Sequence, residues 1–66
     1  MERYYLVVIT QIVDGRESPS NWIHSAVSAE DARQWAEERV QEFNTMSDRI
    51  GCVHTQRVES VAPYTF

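Results

Sequence analysis

Three side chains in this 66-residue sequence could bind a metal or act in catalysis: His24, Cys52 and His54. Side chains alternate along a strand, so Cys52 and His54 would share a face if this segment is extended. A zinc site requires three or four ligands with a supporting shell, and we expect His24 on a separate edge strand. A nucleophilic Cys52 would require a base and a group that orients the base, and none is evident. We therefore predict no metal ligands and no catalytic residues.

The sequence does not indicate a cofactor site either. Its two glycines, Gly15 and Gly51, are isolated, so there is no glycine-rich phosphate-binding loop. A chain of this length is also short for a water-excluding substrate pocket. We predict a protein that is not an enzyme and has no cofactor. A small enzyme or a metal-binding subunit is the alternative.

The aromatic side chains are better suited to binding. Tyr4, Tyr5 and Trp22 could stack on bases, as aromatic residues do on RNA-binding sheets. The net charge is −4 and all six basic residues are arginines, so the basic stripe of a phosphate-backbone binder is missing. Trp, Tyr and Arg also dominate the energetics of protein interfaces. We predict a protein partner, with a nucleic-acid-associated module that uses the sheet aromatics as the alternative.

A second candidate surface lies on the polar face of the predicted helix. Glu37, Glu38 and Glu42 fall opposite its apolar stripe, and we call them the acidic helix surface. They form either a solvated surface or one that steers a basic partner by charge. With the three aromatic residues, these glutamates complete the predicted set of partner-binding residues.

The stretch Tyr4–Val13 organises the rest of the chain. Its ten residues are rich in Tyr, Val, Ile and Thr, which favours a strand, and both faces of that strand are apolar. We therefore place it in the centre of the sheet and expect both faces to be covered. The polar segment Asp14–Asn21 predicts a long mobile loop, and Trp22–Val27 predicts the second strand.

A helix follows the second strand. Ser28 with Asp31 resembles a capping box, which predicts a helix over Ala29–Asn44. Asparagine tolerates the left-handed conformation, so Asn44 is the expected helix end. The two aromatic residues of the apolar stripe should anchor the helix on the sheet. That stripe, at three- and four-residue spacing, comprises Ala29, Ala32, Trp35, Ala36, Val40 and Phe43.

The third strand is predicted over Cys52–Ala62, after a connection at Thr45–Gly51. Its apolar residues change sides, which indicates a bulge near Gln56-Arg57. The predicted fold is α+β: a single domain over residues 1–66, with element order β-β-α-β. Its three-stranded antiparallel sheet has the order 2-1-3, and one helix packs on one face. The other face remains apolar, which indicates an interface, and a homodimer is the simplest way to cover it.

The sequence also predicts where the protein works. It has no run of about 18 apolar residues, so we expect no membrane span. Its first residues lack the basic start, apolar run and cleavage site of a signal peptide. The single cysteine, Cys52, excludes an internal disulfide. We expect a cytoplasmic protein.

The order of elements carries a family resemblance. The second strand enters the helix through Val-Ser-Ala-Glu-Asp-Ala-Arg, and the last strand contains His-Thr-Gln-Arg-Val-Glu-Ser-Val. This layout resembles that of many very small phage-encoded proteins, some anti-CRISPR inhibitors among them. The resemblance covers most of the chain but carries over no functional residue. It implies an inhibitor that binds a host macromolecule and does not act by catalysis.

Overall fold

A computed structural model describes residues 3–65 and shows three strands and one helix in the order β-β-α-β. The strands form one antiparallel sheet in the order β2-β1-β3, which confirms the predicted fold. Within residues 3–65, no helix is long and apolar enough to cross a membrane. The elements are β1 (Arg3–Val13), β2 (Arg16–Ala26), α1 (Ala29–Arg49) and β3 (His54–Pro63).

β1 and β2 are joined by a tight turn and not by the predicted long loop. Asp14 and Gly15 both have positive φ, 52° and 80°, and they connect the paired residues Val13 and Arg16. A two-residue turn with two positive φ angles is type I′, whose twist matches that of the flanking strands. The prediction of a loop over Asp14–Asn21 is therefore wrong, because β2 begins immediately after the turn.

Pro19 is compatible with β2 because of the way the two strands pair. Residues that flank a two-residue turn form a hydrogen-bonded pair, and such pairs alternate along the ladder. Pro19 lies opposite Thr10, which makes theirs a pair without ladder hydrogen bonds. The nitrogen of Pro19 therefore faces the outer edge of the sheet, where no donor is required.

The helix begins as predicted and ends later than predicted. The Ser28 side chain accepts a hydrogen bond from the backbone N–H of Asp31 at 3.1 Å. At the other end, Gly51 has a φ of 70° and its N–H donates to the Asp48 carbonyl, 3.2 Å away. The N–H of Cys52 donates to the Ser47 carbonyl at 2.9 Å, which completes a Schellman motif. Gly51, and not Asn44, is the residue that stops α1.

Asn44 instead joins the helix to the outer edge of β3. Its side-chain amide donates to the Gln56 carbonyl at 3.0 Å and accepts from the Gln56 N–H at 2.8 Å. One helix turn further on, the buried Ser47 hydroxyl contacts the carbonyls of Cys52, at 3.1 Å, and His54. The Gln56 groups and the His54 carbonyl belong to β3, so these two side chains satisfy backbone groups that a fourth strand would otherwise pair with.

β3 contains the predicted bulge at a slightly different place. Val8 pairs with Ser60 and Ile9 with Val58, so Glu59 is the extra residue. The bulge lets Val58 and Val61 pack on the same core cluster although their spacing is odd. It lies two residues beyond the predicted Gln56-Arg57, and β3 begins at His54 instead of Cys52.

The core lies between α1 and one face of the sheet. Val7 and Ile9 of β1 pack against Ala36, and Tyr5 packs against Ala26 and Ala32. The two helix alanines are completely buried, because a methyl side chain lets the helix approach the sheet closely. Of the rest of the predicted stripe, Ala29 is exposed, whereas three residues are half-buried: Trp35, Val40 and Phe43.

Candidate protein interface

The sheet face opposite α1 is not covered by any described element. Side chains alternate along each strand, so the pairing assigns every second residue to this face. We call it the open sheet face. It comprises Tyr4, Leu6, Val8, Thr10 and Ile12 of β1, Glu17, Pro19, Asn21, Ile23 and Ser25 of β2, and Thr55, Arg57, Glu59, Ser60 and Ala62 of β3.

One half of the open sheet face is mainly apolar. Leu6 of the central strand pairs with Ile23 on one side and Ala62 on the other. Tyr4 is 48% exposed and Ile23 is 47% exposed, while Leu6 and Val8 are half-buried. We call these five residues the apolar end. Contiguous exposed apolar side chains on a small protein are typical of a contact surface.

The other half of the open sheet face carries an ion-pair network. The Arg57 guanidinium on β3 reaches across β1 to Glu17 on β2 at 2.5 Å, and its Nε donates to Glu59 at 2.9 Å. Thr10 as a whole is only 5% exposed, and its hydroxyl donates to the same Glu59 carboxylate at 2.9 Å. We call these four residues the ion-pair end.

The charges of the ion-pair end stabilise one another. Hydrogen bonds from Arg57 and then from Thr10 lower the pKa of Glu59, and the positive charge of Arg57 acts in the same direction. Hydrogen bonds to Glu59 and Glu17 raise the pKa of Arg57. Both groups are therefore ionised throughout the neutral range.

Both outer edges of the sheet are partly protected against an added strand. Pro19 removes one donor from the β2 edge. On β3, Tyr64 donates its N–H to the Tyr4 carbonyl at 2.9 Å, so the adjacent Pro63 directs its nitrogen outward. The Gln56 backbone groups are already bonded to Asn44. Edge prolines and covered edge groups disfavour pairing with another chain, which leaves the face as the larger surface open to a partner.

The structure separates the three aromatic residues of the predicted partner surface. Tyr4 lies on the open sheet face. Tyr5 is 6% exposed and lies in the core, so it is not available to a partner, contrary to the prediction. Trp22 is exposed but lies on the helix side of β2, opposite Val7. The three rings therefore do not form one stacking platform for bases.

Trp22 belongs instead to a stack that sequence reasoning did not find. The Arg39 guanidinium lies 5.4 Å from the centroid of the Trp22 ring and 5.3 Å from that of Trp35. The Trp35 ring stacks on His24 with centroids 3.9 Å apart and planes at 8°. The available signal was the four-residue spacing of Trp35 and Arg39, which places them side by side on a helix. This cation–π stack fastens α1 to β2.

The two histidines among the candidate metal ligands are far apart. His24 pairs with Tyr5 and His54 pairs with Val13, at opposite ends of β1. At about 3.3 Å per residue, the two positions are separated by roughly 26 Å. His54 forms a hydrogen bond with the Gln11 side chain at 2.7 Å. Among residues 3–65, no three His, Cys, Asp or Glu side chains are grouped to hold a metal ion.

The acidic helix surface lies on the opposite side of the molecule from the open sheet face. All three glutamates are exposed. Arg33 is 4.0 Å from Glu37, and Gln34 donates to Glu38 at 3.2 Å, so both carboxylates have helical neighbours. Exposed ion pairs of this kind contribute little to stability. The three carboxylates therefore remain accessible to a partner that approaches from solvent.

The fold and the site define a class of protein: a small α+β domain with a helix on one sheet face and a partly apolar, open second face. Comparisons with protein-family models, with curated proteins and with solved structures found no match.

Proposed function

We propose that this chain is a small, non-catalytic protein-interaction module whose binding surface is the open sheet face. One observation carries the proposal: the central strand is covered by the helix on one side only, and its apolar side chains on the other side remain accessible. The partly protected edges add to this, because they disfavour strand addition as the binding mode. A flat sheet surface without an enclosed pocket suits a protein better than a small molecule.

The apolar end can supply the affinity of such a contact. Full burial of one Leu, Ile or Val side chain contributes about 1.5–3 kcal/mol. Tyr4 and Ile23 are about half exposed, so roughly half of that contribution is still available from each on binding. Because Tyr4 combines a large apolar ring with a polar tip, it is the best candidate for the dominant contact residue.

The resemblance to small phage-encoded inhibitors suggests what kind of protein this module would serve. Under this proposal, the chain inhibits a host protein by occupying one of its surfaces, as anti-CRISPR proteins do. The acidic helix surface supports a basic host target, since complementary charge accelerates association. In this arrangement the open sheet face supplies the affinity of the contact, and the acidic helix surface accelerates association.

The experiment compares the wild-type chain with a variant of the open sheet face and a matched control. Ile23→Glu places a charge in the apolar end, on an edge strand where the side chain is already half exposed. Val53→Glu makes the same kind of change at a side chain that is 66% exposed and lies outside the strands. Circular dichroism and thermal melting first establish that both variants fold.

Two measurements then follow: self-association by light scattering, and capture of binding proteins from a lysate of the source or host cell. We expect at least one of these contacts in the wild type, its loss in Ile23→Glu and its retention in Val53→Glu. If the wild type makes neither contact, or if Ile23→Glu keeps every contact of the wild type, the proposal is wrong.

A further inference from the structure

We infer that the open sheet face is covered by a second copy of the chain, related by a two-fold axis that runs parallel to β1. The inference rests on the proposed function, because it uses the same surface, and it names the occupant of that surface. Three observations support it: the distribution of apolar residues, the pairing of large with small side chains, and the position of the ion pair.

The distribution of apolar residues selects the direction of the axis. Two sheets that pack face to face keep their strands within about 30° of one another in the aligned arrangement. An axis across the strands would place the apolar end of one copy over the ion-pair end of the other. An axis parallel to β1 places each apolar end over the partner's apolar end and each β1 over the partner's β1.

The same axis exchanges the outer strands, so β2 of one copy lies over β3 of its partner. Ile23 and Ala62 flank Leu6 on opposite sides, at the same level of the sheet. The exchange therefore brings Ile23 over the partner's Ala62, a large side chain over a small one. By symmetry this contact forms twice, and complementary sizes let the two surfaces approach closely.

The exchange also matches charge with opposite charge. Glu17 on β2 moves over β3 of the partner, at a level two residues, or roughly 7 Å, from that of the partner's Arg57. Within one chain, Arg57 already spans the width of β1 to reach Glu17 at 2.5 Å, so its length suffices for a carboxylate on a facing sheet. Glu59 lies on β3 between Arg57 and Ser60, and the residues that face it on β2 are uncharged.

The area is sufficient for a weak dimer. Three strands about 4.8 Å apart and eleven residues long, at about 3.3 Å each, present a face of roughly 14 by 36 Å. Two such faces would bury roughly 1,000 Å² in projection, at the lower limit for a specific interface. We therefore expect a dimer that dissociates on dilution.

The test uses two charge-reversal variants, Glu17→Arg and Arg57→Glu, measured separately and mixed. Each variant alone would place like charges opposite each other twice in the dimer, and should weaken dimerisation by at least about tenfold. In an equimolar mixture, the heterodimer pairs opposite charges at both contacts, so dimerisation should return. Glu38→Arg on the outer side of the helix is the control and should leave the dimer unchanged.

The mixture distinguishes the effect of the contact between two chains from the effect of the ion pair within one chain. Each variant keeps two like charges within its own chain after mixing, so recovery can only come from contacts between copies. Sedimentation velocity over a range of concentrations measures the dimer fraction, and circular dichroism establishes that each variant is folded. A wild type that stays monomeric, variants that dimerise like the wild type, or a mixture that does not recover would each overturn the inference.

Thiol cross-linking provides a second measurement that does not depend on the charged residues. In a Cys52→Ser background, Ile23→Cys and Ala62→Cys are prepared as separate single-cysteine chains, mixed and treated with a short bismaleimide. Random pairing in an equimolar mixture already gives about twice as much heterodimer as either homodimer. The exchange of outer strands predicts a clearly larger excess of cross-linked heterodimer, and the random 1:2:1 ratio would contradict it. A monomeric wild type that still loses a lysate partner on Ile23→Glu would refute the dimer and leave the interaction module standing.

Discussion

Replacing Asn44 with alanine should destabilise the protein by about 1–3 kcal/mol, because two hydrogen bonds to the Gln56 backbone are lost and each contributes about 0.5–1.5 kcal/mol. For a chain of this size, 1 kcal/mol corresponds to roughly 4–8 °C in Tm. Urea and thermal denaturation, followed by circular dichroism, measure the change. Alanine itself favours the helix, so helix propensity would change stability in the opposite direction.

The aspartate variant sharpens the test. Asn44→Asp keeps the acceptor for the Gln56 N–H but, when ionised, has no proton to donate to the Gln56 carbonyl. At neutral pH it should be clearly less stable than the wild type, and acid should recover part of the difference as the carboxyl gains a proton. Thr45→Ala, at the exposed neighbouring position, is the matched control. A loss below about 0.5 kcal/mol for Asn44→Ala, the range of ordinary surface changes, would refute the bridging role.

Three further predictions concern the core, the ion-pair end and the acidic helix surface. Trp35→Ala should cost about 2–4 kcal/mol in denaturation experiments, somewhat less than for a fully buried aromatic residue, because its ring is half-buried; a change below about 1 kcal/mol would contradict this. Since the pKa of Glu59 is lowered in the folded state, the unfolded chain takes up the proton first, and stability should fall as the pH drops below about 4.3. Arg57→Gln should make that acid-induced fall in Tm smaller, and an unchanged pH profile would count against the network. Reversing the acidic helix surface to arginine should slow association with a host partner and reduce its salt dependence in surface-binding kinetics; unchanged rates would leave only a solvated surface.

Local signals were sufficient to predict the order of the elements and the centre of the sheet. A strand with two apolar faces is covered best in the middle, and Ser28 with Asp31 marks a helix start by chemistry that needs no distant partner. The odd spacing of Val58 and Val61 predicted a bulge for the same reason. In each case the sequence signal lies within a few residues of the structural feature that it predicts.

The predictions failed where a distant residue decides the local structure. Pro19 indicates a loop unless its nitrogen faces the edge of a sheet, and that depends on its pairing with β1. Asn44 indicates a helix end unless a strand offers it two backbone groups, as Gln56 does. The available signals that would have corrected both were Asp14-Gly15, a type I′ dipeptide, and Gly51, a helix-ending glycine.

The candidate site was predictable only in part. Both faces of β1 are apolar, so its own residues do not tell which face the helix covers, and Tyr5 was assigned to a partner although it lies in the core. Tyr4, on the other face, is accessible. Glu17 and Arg57 are distant in sequence and meet only because β2 and β3 flank the same strand. An ion pair of this kind follows from the topology and not from any motif.

The bulge at Glu59 marks a position at which the length of this chain can change during evolution. If Glu59 were deleted, Val58 would still pair with Ile9 and Ser60 with Val8, so the ladder would become regular. Val61 would stay in the core, and Ser60 and Ala62 would stay on the open sheet face. The deletion would remove only the carboxylate that Thr10 and Arg57 contact. A deletion at another position of β3 would instead move the residues on one side of it to the opposite face. Homologues should therefore lose a residue at position 59 more readily than elsewhere in β3.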